Sequence, residues 1–302
     1  MKKGFIYGLT AIFAANIIWG VMAPMLKSFL NMGVIDPMTL SALRMVGGAI
    51  LFWIVDIITP YINHNYNYTR IDAKDIWKLI IASLLIIIGT QVVTTVAMKY
   101  TYPIDVSVLC STTPFFTLLL SALFLRQKPK FFHIAGVIIG FIGLFMFVTY
   151  GQEDNNMNAS NPLIGNVLCI LSQVFGATYL IFFTNIIKKY NALTLMKWLF
   201  TISGVCILPF TASDIFTIHW AALGVEGWAD ILYIIILGSC FSYLLLPIAQ
   251  RTISPTSIAI CNYIQPITAT IVSVIIGVAA ITGQNLLATL LIFAGVWLVN
   301  KN

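Results

Sequence analysis

Short polar loops divide the chain into ten apolar segments, each close to the length at which a helix crosses a membrane. A helix needs about 20 mainly apolar residues to span the ~30 Å hydrocarbon core. Apolar residues make up 60% of the 302 residues and charged residues only 9%, too few to cover the surface of a soluble protein. The sequence therefore predicts an all-α, polytopic membrane protein with ten transmembrane helices. The segments are Phe5 to Leu26, Pro37 to Ile57, Ile76 to Met98, Pro103 to Leu125, Phe131 to Tyr150, Pro162 to Asn185, Ala192 to Thr211, Trp228 to Ala249, Pro255 to Val278 and Gln284 to Val299.

A repeat divides the ten segments into two sets of five. Pro103 and Pro114 recur 152 residues later as Pro255 and Pro266, and the same register continues towards the C-terminus, where it pairs glycine with glycine. Because each copy contains an odd number of spans, the two copies enter the bilayer from opposite sides, as in many carriers. We therefore predict two inverted five-helix repeats, residues 1–151 and 162–302, joined by a linker over residues 152–161.

The positive charges predict the orientation. With the N-terminus in the cytoplasm, thirteen of the sixteen Lys and Arg residues, Lys197 among them, fall on the cytoplasmic side. Lys27 and Lys99 face outward, and Arg44 lies within a span. We expect a multi-pass protein of the cell (plasma or inner) membrane with both termini in the cytoplasm. This topology accounts for the net charge of +6, so no nucleic-acid partner is expected.

Several runs of residues resemble a known family. They are the Ala42-Leu43-Arg44 tripeptide, the TTPFFTLLLSALFL run from Thr112 to Leu125, the GVIIGFIGLFMFV run that follows, and a second copy of the block, YIQPITATIVSVIIGV and LLIFAGVWLV. Over nearly the whole chain, their order and spacing resemble the EamA-like transporters of the drug/metabolite transporter (DMT) superfamily. The chain departs from the family at residues 126–129, which read RQKP where members commonly carry a Gly-Glu pair. The predicted fold does not depend on that glutamate.

The resemblance implies a secondary transporter, often an exporter, that moves small amphipathic metabolites such as amino acids, related compounds or drugs by alternating access. Its partners would be a small-molecule solute and membrane lipid, and it would act as a monomer or homodimer. The first alternative is a protein that handles or flips lipid. A channel or an intramembrane enzyme ranks lower, because the sequence has no filter-like motif and no paired catalytic groups at membrane depth. No cofactor or metal is expected, since the five cysteines all lie in apolar spans without a CxxC pair.

The predicted solute site lies near the bilayer midplane between the halves. Pro114 and Pro266 lie about 16 Å from the start of their spans, at ~1.5 Å per residue, and we predict that both act as hinges. Buried amides and rings around them are costly to leave without partners, and they complete the site. The predicted substrate-binding residues are Asn16, Trp19, Arg44, Gln91, Ser111, Thr112, Gln173, Tyr179, Tyr243, Asn262, Tyr263 and Gln265.

Each of these residues has a structural alternative. Hydroxyl and amide side chains also form hydrogen bonds between membrane helices, and each pair stabilises the protein by ~0.6 kcal/mol on average. The Trp19 side chain could face lipid. Arg44 could bind helix carbonyls as a structural residue or serve as counter-ion for a solute carboxylate. No acidic residue lies in the middle of a span, with Asp56 and Asp105 at span ends. A carboxylate-driven proton antiport therefore has little support, and uniport or exchange is at least as plausible.

Overall fold

The computed structural model describes residues 2–62, 69–97, 100, 109, 112–126, 129–150, 161–275 and 283–300. Helices dominate these ranges, and no strand occurs in them. Six helical stretches are long and apolar enough to cross a membrane, and three shorter helices are also apolar. The architecture agrees with a polytopic membrane protein but does not confirm the count of ten spans, because much of predicted span four lies outside the described residues and span nine is divided. The six stretches are Gly4–Met22, Pro37–Ile62, Ala73–Ala97, Leu163–Phe182, Ala192–Thr217 and Trp220–Gln250, and the shorter three are Thr113–Phe124, Phe131–Met146 and Leu286–Gly295.

The first half, up to residue 150, contains six α-helices and one π-helical segment in its described part. In chain order they are α1 (Lys2–Asn31), α2 (Pro37–Ile62), a 3-10 turn (Ala73–Asp75), α3 (Ile76–Ser83), the first π segment (Leu84–Val92), α4 (Val93–Ala97), α5 (Thr113–Phe124) and α6 (Phe131–Tyr150). Predicted span three is thus one continuous rod, α3 to α4, with a π-helical middle.

The second half, from residue 161, has a similar order. Its elements are α7 (Pro162–Phe182), α8 (Thr184–Lys189), α9 (Ala192–Thr217), a 3-10 turn (Trp220–Leu223), α10 (Gly224–Tyr233), the second π segment (Ile234–Phe241), α11 (Ser242–Gln250), α12 (Pro255–Cys261), α13 (Ile264–Ile275) and α14 (Gly283–Asn300). Predicted span eight again has a π-helical middle, so wide turns occur in the same place in both halves.

Side-chain caps define where several helices begin. The Asn191 side chain accepts a hydrogen bond from the Leu193 N–H (3.1 Å), and the Ser254 hydroxyl accepts one from the Ser257 N–H (3.1 Å). Such caps satisfy N–H groups that the first helical turn leaves without a partner. Pro255 directly follows the Ser254 cap, where the missing N–H of proline costs nothing.

The two predicted hinge prolines lie at helix starts, not inside long helices. Pro114 is in the first turn of α5, and Pro266 is in the first turn of α13, which follows a turn at Asn262 and Tyr263. A proline suits the first turn because it has no N–H to donate and its φ is already helical. Span nine is therefore two helices, α12 and α13, and the hinge role of both prolines stays a prediction.

Helices α6 and α14 pack closely against each other. A Cβ added to Gly143 would come 2.7 Å from the Leu291 Cβ and 2.8 Å from the Ala288 carbonyl oxygen. A Cβ added to Gly295 would come 2.6 Å from the Gly136 carbonyl oxygen and 2.7 Å from the Gly140 Cα. These contacts are reciprocal, because Gly136 and Ala288 are related by the repeat displacement in the same way as Gly143 and Gly295. The small-residue face of span five packs within the chain, against α14.

Helices α2 and α9 pack antiparallel. In the first half of α2, Gly204 of α9 lies beside Val46, and two residues further along α2 the Phe200 ring covers Gly48. Further still, Lys197 contacts Asp56. Buried residues of α2 recur every three or four positions, which places Ser41, Arg44, Gly48, Phe52 and Asp56 along one face of the helix. This face runs through the middle of the molecule from the start of α2 almost to its end.

Candidate functional site

A small cavity lies between the two halves. Side chains of α2, α9, α11 and both π segments surround about 220 Å³ of space not filled by atoms. Arg44, Gln91 and Tyr243 were predicted substrate-binding residues, and the other five were not. Three of those five are apolar, and nothing in the sequence distinguishes them from ordinary core residues. The two serines lie in the same spans as Arg44 and Tyr243, so their depth in the membrane is the signal that could have identified them. The lining residues are Ser41, Arg44, Met45, Ile87, Gln91, Phe200, Ser239 and Tyr243.

Arg44 is the charged group of this cavity. It is only 6% exposed, and it donates from Nε to the Ser239 hydroxyl (3.1 Å) and from Nη1 to the Gln91 carbonyl oxygen Oε1 (2.9 Å). Both partners are neutral, and among the residues that the structure describes no acidic side chain forms an ion pair with Arg44. A guanidinium has five N–H donors in a fixed planar fork that matches a carboxylate. The site therefore presents a positive charge with neutral partners to the cavity.

The π segments supply the partners of Arg44. Gln91 lies near the end of the first π segment, and Ser239 lies in the second, where its hydroxyl also donates to the Ile234 carbonyl (3.0 Å). The Gln91 amide donates in turn to the Tyr243 hydroxyl. The wider turn of a π segment shifts side chains relative to a regular helix, and such segments are frequent at functional sites. Gln91 and Tyr243 are separated by the repeat displacement, so equivalent positions of the two copies meet here.

Aromatic rings form one wall of the site. Trp19 of α1 donates its indole N–H to the Gly238 carbonyl (2.9 Å), and its ring meets Tyr243 edge-on at 5.3 Å. The Phe200 ring meets Tyr243 at 5.3 Å and Phe52 at 5.2 Å. Trp19 thus lies next to the cavity but does not line it, and its role in substrate binding stays a prediction. The site combines a cation, an amide and a hydroxyl with apolar ring faces, a set suited to an amphipathic molecule.

Four polar residues, three of them predicted, lie away from the cavity and bond each other. The Gln265 amide donates to the Asn16 carbonyl oxygen (2.6 Å), joining α13 to α1, and Asn16 also donates to the Ile12 carbonyl (2.8 Å). In the same way the Thr113 hydroxyl donates to Gln173 (2.5 Å) and joins α5 to α7. Thr113 and Gln265 are related by the repeat displacement, and each of the two links joins one half of the chain to the other. In this structure these amides connect helices.

The remaining predicted residues also lie outside the cavity. The Thr112 hydroxyl donates to the Leu109 carbonyl (2.6 Å), and Asn262 is half-buried in the turn before α13. Tyr179 is fully buried and stacks on Phe183, and the Tyr263 ring lies against Gly140 of α6. Ser111 lies outside the described residues. The predicted set is therefore divided between one cavity and several interhelical contacts.

Sequence reasoning missed a buried ion pair. Lys197 of α9 is fully buried and donates from Nζ to the Asp56 carboxylate at 2.5 Å, and its Nζ also lies 4.1 Å from the centroid of the Trp53 ring. From the sequence, Lys197 is expected among the cytoplasmic charges and Asp56 at the end of a span. A charged side chain inside a span costs free energy unless it pairs with another charge. The signal for this ion pair in the sequence was an acidic residue in span two and a basic residue in span seven.

The two ends of the bundle are closed by different chemistry. Near the start of α2, Phe29, Ile35 and Leu40 pack against Leu223 and Ile231 in an apolar cluster. The opposite end, around the start of α9, is closed by an ionic network. In it Asp75 accepts bonds from Lys189 (2.6 Å), from the Tyr190 hydroxyl (2.7 Å) and from Lys78 (2.9 Å), Lys189 also pairs with Asp72, and Arg251 binds the Ile187 and Tyr190 carbonyls.

No candidate metal centre is found in the part of the chain that the structure describes. Within those ranges, no three His, Cys, Asp or Glu side chains form a group that could hold a metal ion. The polar groups of the cavity are an arginine, an amide and hydroxyls, which bind anions and polar organic groups.

Comparisons with known proteins agree on the type of protein. The model of the EamA-like transporter family matches the chain twice, over residues 6–149 and 163–301. An uncharacterized transporter of Archaeoglobus fulgidus is 28% identical over 171 residues, covering 57% of this chain and 57% of that protein. The uncharacterized inner membrane transporter YicL of Salmonella typhimurium is 20% identical over 295 residues, 97% of this chain and 95% of that protein.

A solved structure shares the fold. One crystal structure superposes with a TM-score of 0.79 over 99% of this chain and 97% of the other, at 16% sequence identity. This similarity concerns the fold alone. Since the family model covers nearly all of the sequence and the helices are those of a multi-pass membrane protein, the chain belongs to the EamA-like transporter family.

Proposed function

We propose that this protein is a carrier that moves small amphipathic metabolites bearing a carboxylate, such as amino acids or related compounds, by alternating access. Its direction would be export, as the resemblance of the sequence implies. The proposed location is the inner or plasma membrane with both termini in the cytoplasm, and the relative named as an inner membrane transporter supports the first part.

The buried Arg44 carries this proposal. A charge at this depth costs roughly 2.5–3.5 kcal/mol unless it is satisfied, and Arg44 has only neutral partners among the described side chains. A solute carboxylate would provide the missing negative charge, and the rings of Tyr243 and Phe200 would contact its apolar part. Gln91 and Ser239 would then bind either Arg44 or the solute.

Two inverted repeats, residues 1–151 and 162–302, are part of the proposal. Three observations support them: the family model matches each half separately, the equivalent helices α2 and α9 are antiparallel, and α6 and α14 make reciprocal contacts. In such a carrier the solute site lies where the repeats meet, and rocking of one repeat against the other opens it to each side in turn. The cavity lies at that place, next to the contact of Gln91 with Tyr243.

Counterflow in proteoliposomes tests the function. The purified protein should exchange a radiolabelled amino acid for unlabelled amino acid with saturable kinetics. Arg44→Gln should lower the affinity for the amino acid about 10- to 100-fold, because a hydrogen bond to a charged group contributes about 1.5–3 kcal/mol. The same variant should leave transport of the corresponding amino acid amide, which has no carboxylate, nearly unchanged.

Arg44→Lys is the matched control, since it keeps the charge but loses the planar fork. It should retain part of the selectivity for the carboxylate over the amide. Equal loss of both solutes in Arg44→Gln, together with low expression, would mean that Arg44 only stabilises the fold. Flipping of a fluorescent phospholipid at the rate of amino acid exchange would instead support the lipid-handling alternative.

A further inference from the structure

The pair of Lys197 and Asp56 has features that a purely structural contact does not need. It is sealed from solvent, with Lys197 0% and Asp56 5% exposed, and it joins the two halves through α9 and α2. Apolar residues of similar size could hold two helices together at least as well, because burying two charges removes both from water. Joining α2 to α9 through this pair therefore costs desolvation free energy that an apolar contact would avoid. The position of the pair relative to Arg44 indicates a functional role.

Lys197 occupies in the second half nearly the position that Arg44 occupies in the first. Helices α2 and α9 each have 26 residues, and Arg44 is the eighth residue of α2 while Lys197 is the sixth residue of α9. The displacement between them differs from that of the repeat by a single residue. Because α2 and α9 are antiparallel, the two cations lie towards opposite ends of the same interface. Arg44 faces a cavity and neutral groups, whereas Lys197 is covered by a carboxylate.

The two positions are connected along the buried face of α2. Arg44 and Asp56 are twelve residues apart, about 18 Å along a helix at ~1.5 Å per residue. Between them Phe52 and Phe200 contact each other, and Phe200, which lines the cavity, is one turn from Lys197 on α9. The aromatic pair thus separates the cavity from the Lys197 end. Movement of the Phe200 ring would open a path from the cavity towards Lys197.

We propose that Lys197 is a second carboxylate-binding site, masked by Asp56 in this conformation, to which the solute passes from Arg44 before it leaves. This proposal rests on the proposed function. A buried ammonium needs an anion in every state, and Asp56 is that anion when the solute is at Arg44. When the Lys197 end opens, the solute carboxylate replaces Asp56 on Lys197, and Asp56, six residues from the end of α2, becomes hydrated. One carboxylate replaces another, so the charge at Lys197 stays balanced throughout.

The test removes the first site by Arg44→Gln and then removes the carboxylate that covers Lys197 by Asp56→Asn. Phenylacetate is the probe and the neutral phenylacetamide its matched control, and binding is measured as the rise in melting temperature of the full chain in lipid nanodiscs at constant ionic strength. Wild type should be stabilised by phenylacetate, and Arg44→Gln should not. Arg44→Gln combined with Asp56→Asn should again be stabilised by phenylacetate but not by phenylacetamide. Adding Lys197→Gln to that double variant should abolish the effect.

The outcomes distinguish the proposed second site at Lys197 from the proposed function, which depends on the first site at Arg44. Undiminished stabilisation of the Arg44→Gln variant would show that the first site is wrongly assigned, which overturns the proposed function. A folded double variant that phenylacetate does not stabilise more than phenylacetamide would overturn the second site and leave the first intact. So would stabilisation that persists after Lys197→Gln.

Asp56→Asn could also prevent folding, because it leaves a buried ammonium without its carboxylate. In that case the variant is extracted in phenylacetate and, in parallel, in phenylacetamide. Recovery of several times more monodisperse protein in phenylacetate supports the proposal, since the added carboxylate takes the place of Asp56. Equal loss in both overturns it.

Discussion

Arg44 shows how a single side chain can be predicted in part from the sequence. Its charge inside an apolar span predicts that Arg44 has a functional or pairing role. The free-energy cost of burying an amide predicts the same for Gln91. The structure adds that these two residues bond each other, which spacing alone could not give. The same cost argument selected Asn16 and Gln265 too, yet these two satisfy each other across α1 and α13. The cost of burial identifies residues that need partners but does not say whether the partner is protein or solute.

Gln91→Glu tests the charge of the cavity directly. The substitution changes almost no volume and places a carboxylate 2.9 Å from the Arg44 Nη1. We expect a higher melting temperature, because the protein now supplies the negative charge that a solute would bring, and a loss of amino acid binding of at least about tenfold for the same reason. Differential scanning fluorimetry with and without the amino acid measures both effects. Unaltered binding in this variant would contradict a carboxylate site at Arg44.

At the scale of elements, helix positions follow from the sequence better than helix geometry does. Apolar length predicted the positions of most of the described helices, and the repeat of the prolines predicted that spans four and nine resemble each other. The π segments were not predicted, because a π turn depends on how neighbouring helices pack and leaves no composition signal. These segments position Gln91 and Ser239 against Arg44. The cavity is therefore the part of the molecule that sequence alone describes least well.

The α6 and α14 contact gives a prediction for a pair of helices. Gly143→Ala should destabilise the protein by about 1–3 kcal/mol, because the new methyl meets the Ala288 carbonyl oxygen at 2.8 Å and backbone cannot move aside as a side chain can. Gly283→Ala on α14 is the control, since none of the atoms that the structure describes lies within 4 Å of its added Cβ and its φ is not positive. Unfolding monitored by circular dichroism should separate the two variants. Equal stability would mean that the helices pack less closely than described.

At the scale of the whole molecule, the ionic network at the Lys197 end predicts how stability depends on pH and on salt concentration. Hydrogen bonds from Lys189 to Asp72 and then Asp75 raise the pKa of Lys189 above its ordinary value. A raised pKa means that the contribution of Lys189 is complete below the ordinary lysine pKa and is lost only as the pH rises through the higher value. The difference in melting temperature between wild type and Lys189→Ala should therefore stay constant from about pH 6 to pH 9.

The salt concentration, unlike the pH, should change how much Lys189 contributes to the stability of the protein. Lys189 is 46% exposed on its side chain, so its interaction with Asp72 and Asp75 is screened by ions. The difference between wild type and Lys189→Ala should shrink when the salt concentration rises from about 0.05 M to 0.5 M, and Arg44→Gln should show no such dependence. A salt-independent difference would place the network in a less accessible environment.

The orientation of the whole chain can be tested at its ends. Two inverted five-helix repeats require both termini to lie on the same face of the membrane. Tags at the N-terminus and the C-terminus of the protein in right-side-out vesicles should therefore both be protected from an added protease, and both should be cleaved once the vesicles are opened. Cleavage of one tag alone in sealed vesicles would rule out the proposed repeats.

The contact between Gln91 and Tyr243 bears on how such a protein arises. Under the repeat register these are one position in two copies. In an ancestral dimer of identical five-helix units, that position would meet itself, glutamine against glutamine or tyrosine against tyrosine. Two units whose sequences differ can place an amide on one side and a phenol on the other. The hydrogen bond from the Gln91 amide to the Tyr243 phenol next to Arg44 is therefore a contact that two identical units could not form at that position.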